Sequence, residues 1–141
     1  MAATPKSRRN LQEKLRERGF AQTAIQGALE QLEKQGLLND RSFAESIFQT
    51  YSNHRFSGRR RIAFELEKRG ISKPLVREIL EKFTPEDERE KALELAKQKQ
   101  EKWSGLDRLK RRKKIYDFLV RRGFDFTLSR DVVAEVEREN E

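Results

Sequence analysis

Cysteine is absent from this 141-residue chain, and His54 is its single histidine. No disulfide framework, thiolate metal site or cysteine nucleophile is available, and a histidine cluster around a metal is excluded. Nowhere does an apolar run approach the ~18 residues of a membrane-crossing helix, and the N-terminus has no apolar segment of the export-signal kind. Proline occurs three times and glycine seven times. Apolar residues make up only 35% even with alanine and tyrosine counted, too little for a thick two-layer α/β core. Neither a G-x-x-x-x-G-K-[ST] phosphate loop nor a G-x-G-x-x-G turn occurs. A nucleophile–histidine arrangement would have only His54, in an Arg-Phe-Ser loop with no recognisable acid partner, so His54 reads as a surface loop residue. We therefore expect a non-enzyme with no catalytic residues, no cofactor and no metal.

What the chain has in excess is charge. Asp, Glu, Lys and Arg make up 40% of it, against roughly 25% in ordinary globular proteins. The 32 basic and 24 acidic residues leave +8, with a pI near 9.9. This composition suits a soluble, cytoplasmic, cationic protein with a thin, elongated body.

Apolar residues recur at helical spacing. Examples are Phe43, Ile47 and Tyr51, then Ile62 and Leu66, then Ile115, Phe118 and Leu119, then Leu128, Val132, Val133 and Val136. No stretch alternates with period two for long enough to make a strand, so the chain reads as all-α. Gly19, Gly36, Gly70 and Gly123 each follow an apolar-periodic segment, where a left-handed helix stop is needed. Thr84-Pro85-Glu86-Asp87 reads as a helix start with a hydroxyl cap, proline in the first turn and acids against the positive helix end. Ser72 ahead of Pro74 and Asp40 ahead of Phe43 read the same way. The predicted helices span 7–18, 22–35, 40–53, 59–69, 73–83, 85–102, 106–122 and 126–138.

An internal repeat organises these helices. Leu11-x3-Leu15-x3-Gly19-Phe20 recurs as Ile62-x3-Leu66-x3-Gly70-Ile71 and as Ile115-x3-Leu119-x3-Gly123-Phe124. The same offsets carry Ala28-Leu29 onto Ile79-Leu80 and Val132-Val133, Arg18 onto Arg69 and Arg122, and Arg9 onto Arg60 and Lys113. A leading helix (40–53 and 85–102) precedes the second and third copies. The expected architecture is an elongated, curved array of tandem three-helix units, each with too small an apolar face to be stable alone. Its units would be 1–38 (lacking the leading helix), 39–83 and 84–141.

The charge is concentrated. Residues 97–122 hold eleven Lys or Arg against three acids, while 84–96 hold five acids against two bases. A second cluster, Arg59-Arg60-Arg61, sits at a predicted helix N-terminus, where cations oppose the helix dipole. Such clusters are either solvated helix faces or anion-binding surfaces; their recurrence at one point of the unit favours the second. Carboxylates on these Lys- and Arg-rich helices are expected to be mostly intrahelical partners. Phe20, Phe43, Phe48, Phe64, Phe83, Phe118 and Phe124 are predicted core residues. Phe56, Trp103 and Phe126 fall in turns, where Trp103 either stacks on a base or closes a contact between neighbouring helices.

Three motifs in order carry a resemblance: Gly36-Leu37-Leu38-Asn39-Asp40-Arg41-Ser42-Phe43-Ala44, then Gly58-x3-Ile62-x3-Leu66-x2-Arg69-Gly70-Ile71, then Arg112-Lys113-x4-Phe118-Leu119-x-Arg121-Arg122-Gly123-Phe124. Over about residues 7 to 136 the chain resembles the RecX family of recombination regulators, whose members are built from tandem three-helix units. Two departures stand out. The usual first helix of the first unit has no counterpart, which reads as a truncated or trimmed N-terminus. The usual glycine-aromatic pair before Gly58 is replaced by Phe56-Ser57. The resemblance implies a negative regulator of recombination and DNA repair, linked to the SOS response. It would bind the RecA filament on single-stranded DNA and lower its strand exchange, ATPase and coprotease activities. The alternative is a stand-alone DNA-binding protein using helix-turn-helix-like units. The implied binding residues are Arg59, Arg60, Arg61 and Arg69 in the middle unit, and Lys110, Arg111, Lys113, Lys114, Arg121 and Arg122 in the last, with Arg69 also placed to cap its own helix. The implied partners are the RecA filament and single-stranded, or also duplex, DNA; the protein would act as a monomer away from membranes.

Overall fold

The computed structural model describes residues 6–139, and among them every regular element is helical. The α-helices are α1 (Arg8–Glu17), α2 (Gln22–Lys34), α3 (Asp40–Gln49), α4 (Arg59–Lys68), α5 (Lys73–Leu80), α6 (Pro85–Lys102), α7 (Arg108–Arg121) and α8 (Phe126–Glu139). None of the described helices is long and apolar enough to cross a membrane. Two ends differ from the sequence reading. Beyond Gln49 the helix at 40–53 widens into a π-helical turn, Thr50–His54, that buries Tyr51 and Ser52 and leaves His54 exposed. α5 stops at Leu80 because Lys82 and Phe83 turn back onto the Ile79 and Leu80 carbonyls in tighter, three-residue steps.

The caps follow local chemistry. The Thr84 hydroxyl accepts from the Asp87 N–H, the Asp107 carboxylate from the Lys110 N–H and the Ser7 hydroxyl from the Asn10 N–H. At α3 the capping side chain is Asn39, one residue before the Asp40 that the sequence suggested, and Ser72 flanks α5 without a side-chain cap bond. At the C-terminus of α7, Gly123 has φ +98°, and the Phe124 N–H reaches back to the Leu119 carbonyl. That left-handed stop drops Phe124 into full burial.

Three apolar clusters line up along the chain. α1 and α2 enclose Ile25, Leu29 and Leu38. α3, α4 and α5 bury a larger set that includes Ala44, Ile47, Ile62, Leu66, Ile71 and Ile79. α6, α7 and α8 bury Ala92, Ala96, Ile115, Leu119, Phe124 and Val132. The repeated positions are the core positions: Ile62, Leu66 and Ile79 recur as Ile115, Leu119 and Val132, all of them 1% exposed or less. Fully burying one such side chain is worth roughly 1.5–3 kcal/mol, and each larger cluster takes in residues of its leading helix, Ala44, Ile47 and Phe48 of α3 or Ala92, Leu95 and Ala96 of α6.

Two predicted core aromatics are surface residues. Phe64 is 56% exposed because it stands about 200° around α4 from Ile62, on the side away from Leu66. Phe20 is 55% exposed. Its counterparts Ile71 and Phe124 are buried in clusters that take in residues of α3 and α6, and among the described residues α1 and α2 have no such leading helix over them.

Consecutive units join at equivalent helix ends, once through backbone N–H groups and once through side chains. The Gly58 and Arg60 N–H groups, at the start of α4, donate to the Arg122 and Gly123 carbonyls at the end of α7 (2.8 and 3.1 Å). At the start of α1, Asn10 Nδ2 donates to the Arg69 carbonyl (2.9 Å) and Arg9 Nη2 to the Glu67 carbonyl (3.3 Å), at the end of α4. Each junction brings a positive helix end onto a negative one, so α1, α4 and α7 meet head to tail with complementary dipoles. An acid of the next leading helix completes each junction: Asp40 accepts the Arg8 N–H (2.8 Å), and Glu88 accepts the Arg59 N–H (2.7 Å).

Most described ion pairs join different helices, contrary to the expectation of intrahelical pairing. Arg8–Glu33, Arg41–Glu78, Lys82–Glu45, Arg89–Glu135 and Arg112–Glu137 all cross between elements. The reason is size: thin units bring charged helix flanks of neighbouring helices within side-chain reach of one another.

Candidate anion-binding surface

The predicted basic residues divide into those spent on the fold and those left facing solvent. Arg59 belongs to the first group. Its backbone N–H goes to Glu88, and its guanidinium donates to the Leu80 carbonyl (2.9 Å) and to the Phe83 carbonyl. It ties α4 to the end of α5 and the start of α6. The dipole penalty suggested for this cluster is largely offset there by Glu88 and by the carbonyls at the end of α7. Arg69 caps its own helix through the Glu65 carbonyl (3.1 Å), pairs with the Glu65 carboxylate and reaches the Tyr51 hydroxyl (3.4 Å). Burial pushes the Glu65 carboxyl up, but Arg69, Tyr51 and Arg61 outweigh that and hold it below the usual carboxylate range. Arg111 donates to the Leu106 carbonyl (2.9 Å) and closes the turn before α7.

The rest stay available. Arg60 lies over the ring of Phe126, which is itself 57% exposed. Lys113 is exposed, and Lys110 stands 4.0 Å from Asp107 with both side chains largely in solvent. On α7, Lys110, Lys114 and Arg121 fall within about 40° of arc at 3.6 residues per turn. The opposite side of the helix is neutralised, because Arg108 and Arg112 both pair with Glu137 of α8.

Along the α6–α7 side the cations continue over aromatic rings. The Lys114 ammonium sits 4.6 Å from the Trp103 ring centre, and Lys99 lies 5.4 Å from Trp103 and 4.6 Å from Phe118. Arg122 covers Phe118 at 5.5 Å. Trp103 meets Phe118 edge to face at 6.2 Å, so it closes a helix–helix contact and serves as a platform for two lysines. Burial, then the neighbouring Lys102 and Arg122 charges, pull the Lys99 ammonium below its usual range. At the Arg122 end, Arg61, Arg121 and Arg122 meet Arg55. Arg61, Lys114, Arg121 and Arg122 are thus brought together, while Arg59, Arg69 and Arg111 are directed into the fold.

Sequence reasoning missed Lys99 and Arg55. Lys99 sits one turn before Trp103 at i, i+4, a spacing that could have flagged it. Arg55 lies in the turn after the π segment and carried no such signal.

The fold and this surface define a helical-repeat protein of stacked three-helix units that carries a row of cations along one side. Family models for the second and third three-helix domains of RecX match residues 39–80 and 86–133. The regulatory protein RecX of Chlorobium phaeobacteroides is 37% identical over 94% of this chain and 85% of its own length. That of Streptomyces coelicolor is 32% identical over the whole chain and 76% of its own length. The crystal structure of RecX from Lactobacillus salivarius superposes with a TM-score of 0.83 at 25% identity, covering 95% of this chain and 87% of the other. The chain belongs to the RecX family of regulatory proteins.

Proposed function

We propose that this protein restrains homologous recombination by binding the RecA filament on single-stranded DNA, lowering its ATPase, strand-exchange and coprotease activities without catalysing a reaction itself. Family membership supports a regulator. The observation that carries the mechanism is the one-sided cationic face of α6 and α7, with Lys110, Lys114 and Arg121 toward solvent, Lys99 and Arg122 half-buried over aromatic rings beside them, and Glu137 neutralising the other side. Three chained units, 1–38, 39–83 and 84–141, would contact successive filament subunits. Weak contacts summed that way give useful affinity without a deep pocket. The protein would act as a cytoplasmic monomer on acidic recombinase surface and DNA phosphates together.

The test is recombinase ATPase and strand exchange at substoichiometric protein, with wild type and with Lys110→Glu/Lys114→Glu. Both side chains are solvent-exposed, so helical circular dichroism stays unchanged while inhibition weakens about tenfold. Undiminished ATPase and strand exchange with the wild type would sink the proposal. Gel shifts of duplex, single strand and recombinase-coated single strand are expected to favour the coated strand; sequence-specific duplex binding without recombinase would point to a stand-alone DNA reader.

A further inference from the structure

Where the π segment, the start of α4 and the end of α7 meet, the surface opens into a recess of about 200 Å³ lined by Tyr51, Arg55, Ser57, Arg61, Arg121 and Arg122. Four of its six lining residues are arginines, and their contacts leave donors unused. Arg55 lies over the Tyr51 ring at 4.9 Å, and Arg61 pairs with Glu65 at 3.0 Å on one side. Arg121 is exposed and, among the described residues, faces no carboxylate within ion-pair distance. The Nε of Arg122 is fully buried and hydrogen-bonds to nothing in the fold. A buried donor left unmatched costs about 1–3 kcal/mol, and more when charged. Crowding adds to this: burial, then the Arg55 and Arg61 charges, pull the Arg122 guanidinium below its ordinary range. The junction itself holds the arrangement, since the Gly58 N–H to Arg122 carbonyl bond fixes the end of α7 against the start of α4.

We propose that this recess binds one phosphate group of a single-stranded nucleic-acid backbone. One bidentate arginine largely satisfies a planar carboxylate, whereas a tetrahedral oxyanion accepts from several guanidinium forks at once. The recess also lies at the end of the cation row: Arg122 shares the Phe118 ring with Lys99, and Lys99 shares Trp103 with Lys114. Such a row tracks a strand rather than an isolated ion. That a phosphate binds here rests on the recess; that it belongs to a DNA strand rests on the function proposed above.

Two measurements on the full chain test it. In the first, the Arg122 Nε–H resonance is followed while inorganic phosphate, and separately an oligothymidylate, is added. Both are expected to shift it saturably. In the second, oligothymidylate binding is measured over a range of salt for wild type and Arg55→Gln/Arg121→Gln, two exposed positions. The variant is expected to bind about tenfold more weakly, with a salt slope smaller by about 0.7, the contribution of one phosphate on a single strand. An Arg122 signal indifferent to both probes overturns the site. A shift with phosphate but none with the oligonucleotide, or an unchanged slope in the folded variant, overturns its assignment to a strand. Recombinase inhibition measured on the same samples separates the two readings. Intact inhibition with a silent Arg122 removes the recess and leaves the regulator, whereas strand binding through the recess with no effect on recombinase does the reverse.

Discussion

Gly123 and Gly58 carry the closest backbone approach between units. A Cβ on Gly123 would lie 2.9 Å from the Arg61 Cα, and one on Gly58 only 2.5 Å from the Gly123 oxygen. Gly123 also has φ +98°. Gly19 shares the left-handed conformation, with φ +87°, but a Cβ there meets nothing within 4 Å. Gly123→Ala is therefore expected to cost about 2–4 kcal/mol, from ~1–2 of backbone strain plus overpacking of the junction. Gly19→Ala should show the strain alone. Gly27, mid-helix in α2 and with open space around it, should gain about 0.5–1 kcal/mol on replacement by alanine. Urea denaturation of the three variants measures this, and equal losses for Gly123→Ala and Gly19→Ala would show that the junction is not tightly packed. Phe56 is the residue that breaks the rule: it takes φ +47° where the family resemblance leads one to expect glycine. Its ring under Lys91 (4.5 Å) and against the third cluster holds it there.

Helix α4 is held at both ends by groups outside itself. Glu88 of α6 caps its N-terminus, and the α1 residues Asn10 and Arg9 bind its last carbonyls. Burial raises the Glu88 carboxyl above its ordinary 4.5, with the Arg59 N–H and charge only partly opposing. A carboxyl raised in the fold contributes stability that is fully present below pH 4.5 and is lost as pH rises through the folded value. Glu88→Gln keeps an acceptor for the Arg59 N–H and cannot titrate. At pH 7 it is expected to be at least as stable as wild type, and wild type should gain on it as pH falls toward 4.5. Glu88→Ala, which leaves the N–H without its partner, should lose about 1–2 kcal/mol at pH 7. Thermal unfolding across pH 4 to 7 checks both, and a wild-type advantage that grows with pH would reverse the sign of this argument.

Across the whole molecule, stability is graded. The first unit buries Ile25, Leu29 and Leu38, while the other two each bury a much larger apolar set. Contacts at the start of α1 tie that small core to the rest. Local opening follows buried apolar contact. Native-state amide exchange should therefore be fastest in α1 and α2 and slowest around Leu66 of α4 and Leu119 of α7. Slowest exchange in α2 would contradict the grading. The same thinness that weakens the first unit exposes a long flank of helix, the kind of surface the proposed binding of a filament would use.

Helical periodicity, glycine stops and the offsets of 51 and 53 residues were readable along the chain, because each reflects the backbone and its nearest neighbours in sequence. Ile62, Leu66, Ile115 and Leu119 could be placed in cores for that reason, and the all-α repeat followed. The identity of the basic clusters was readable too, but not their use. Arg59, Arg60 and Arg61 are equivalent in sequence, yet one ties helices together, one lies over Phe126 and one lines the recess. Their roles separate because consecutive helical residues point about 100° apart, and what stands in each direction is supplied by segments 21 to 66 residues away. Phe64 was misplaced for the same reason: its hydrophobicity said core, and the face it occupies said solvent. Arg55, without a pattern of its own, entered the surface only when the end of α7 came to rest against the start of α4. Local covalent and steric rules write the helices and their stops. Which charges are neutralised and which remain to meet a partner depends on distances that exist only once the units have stacked.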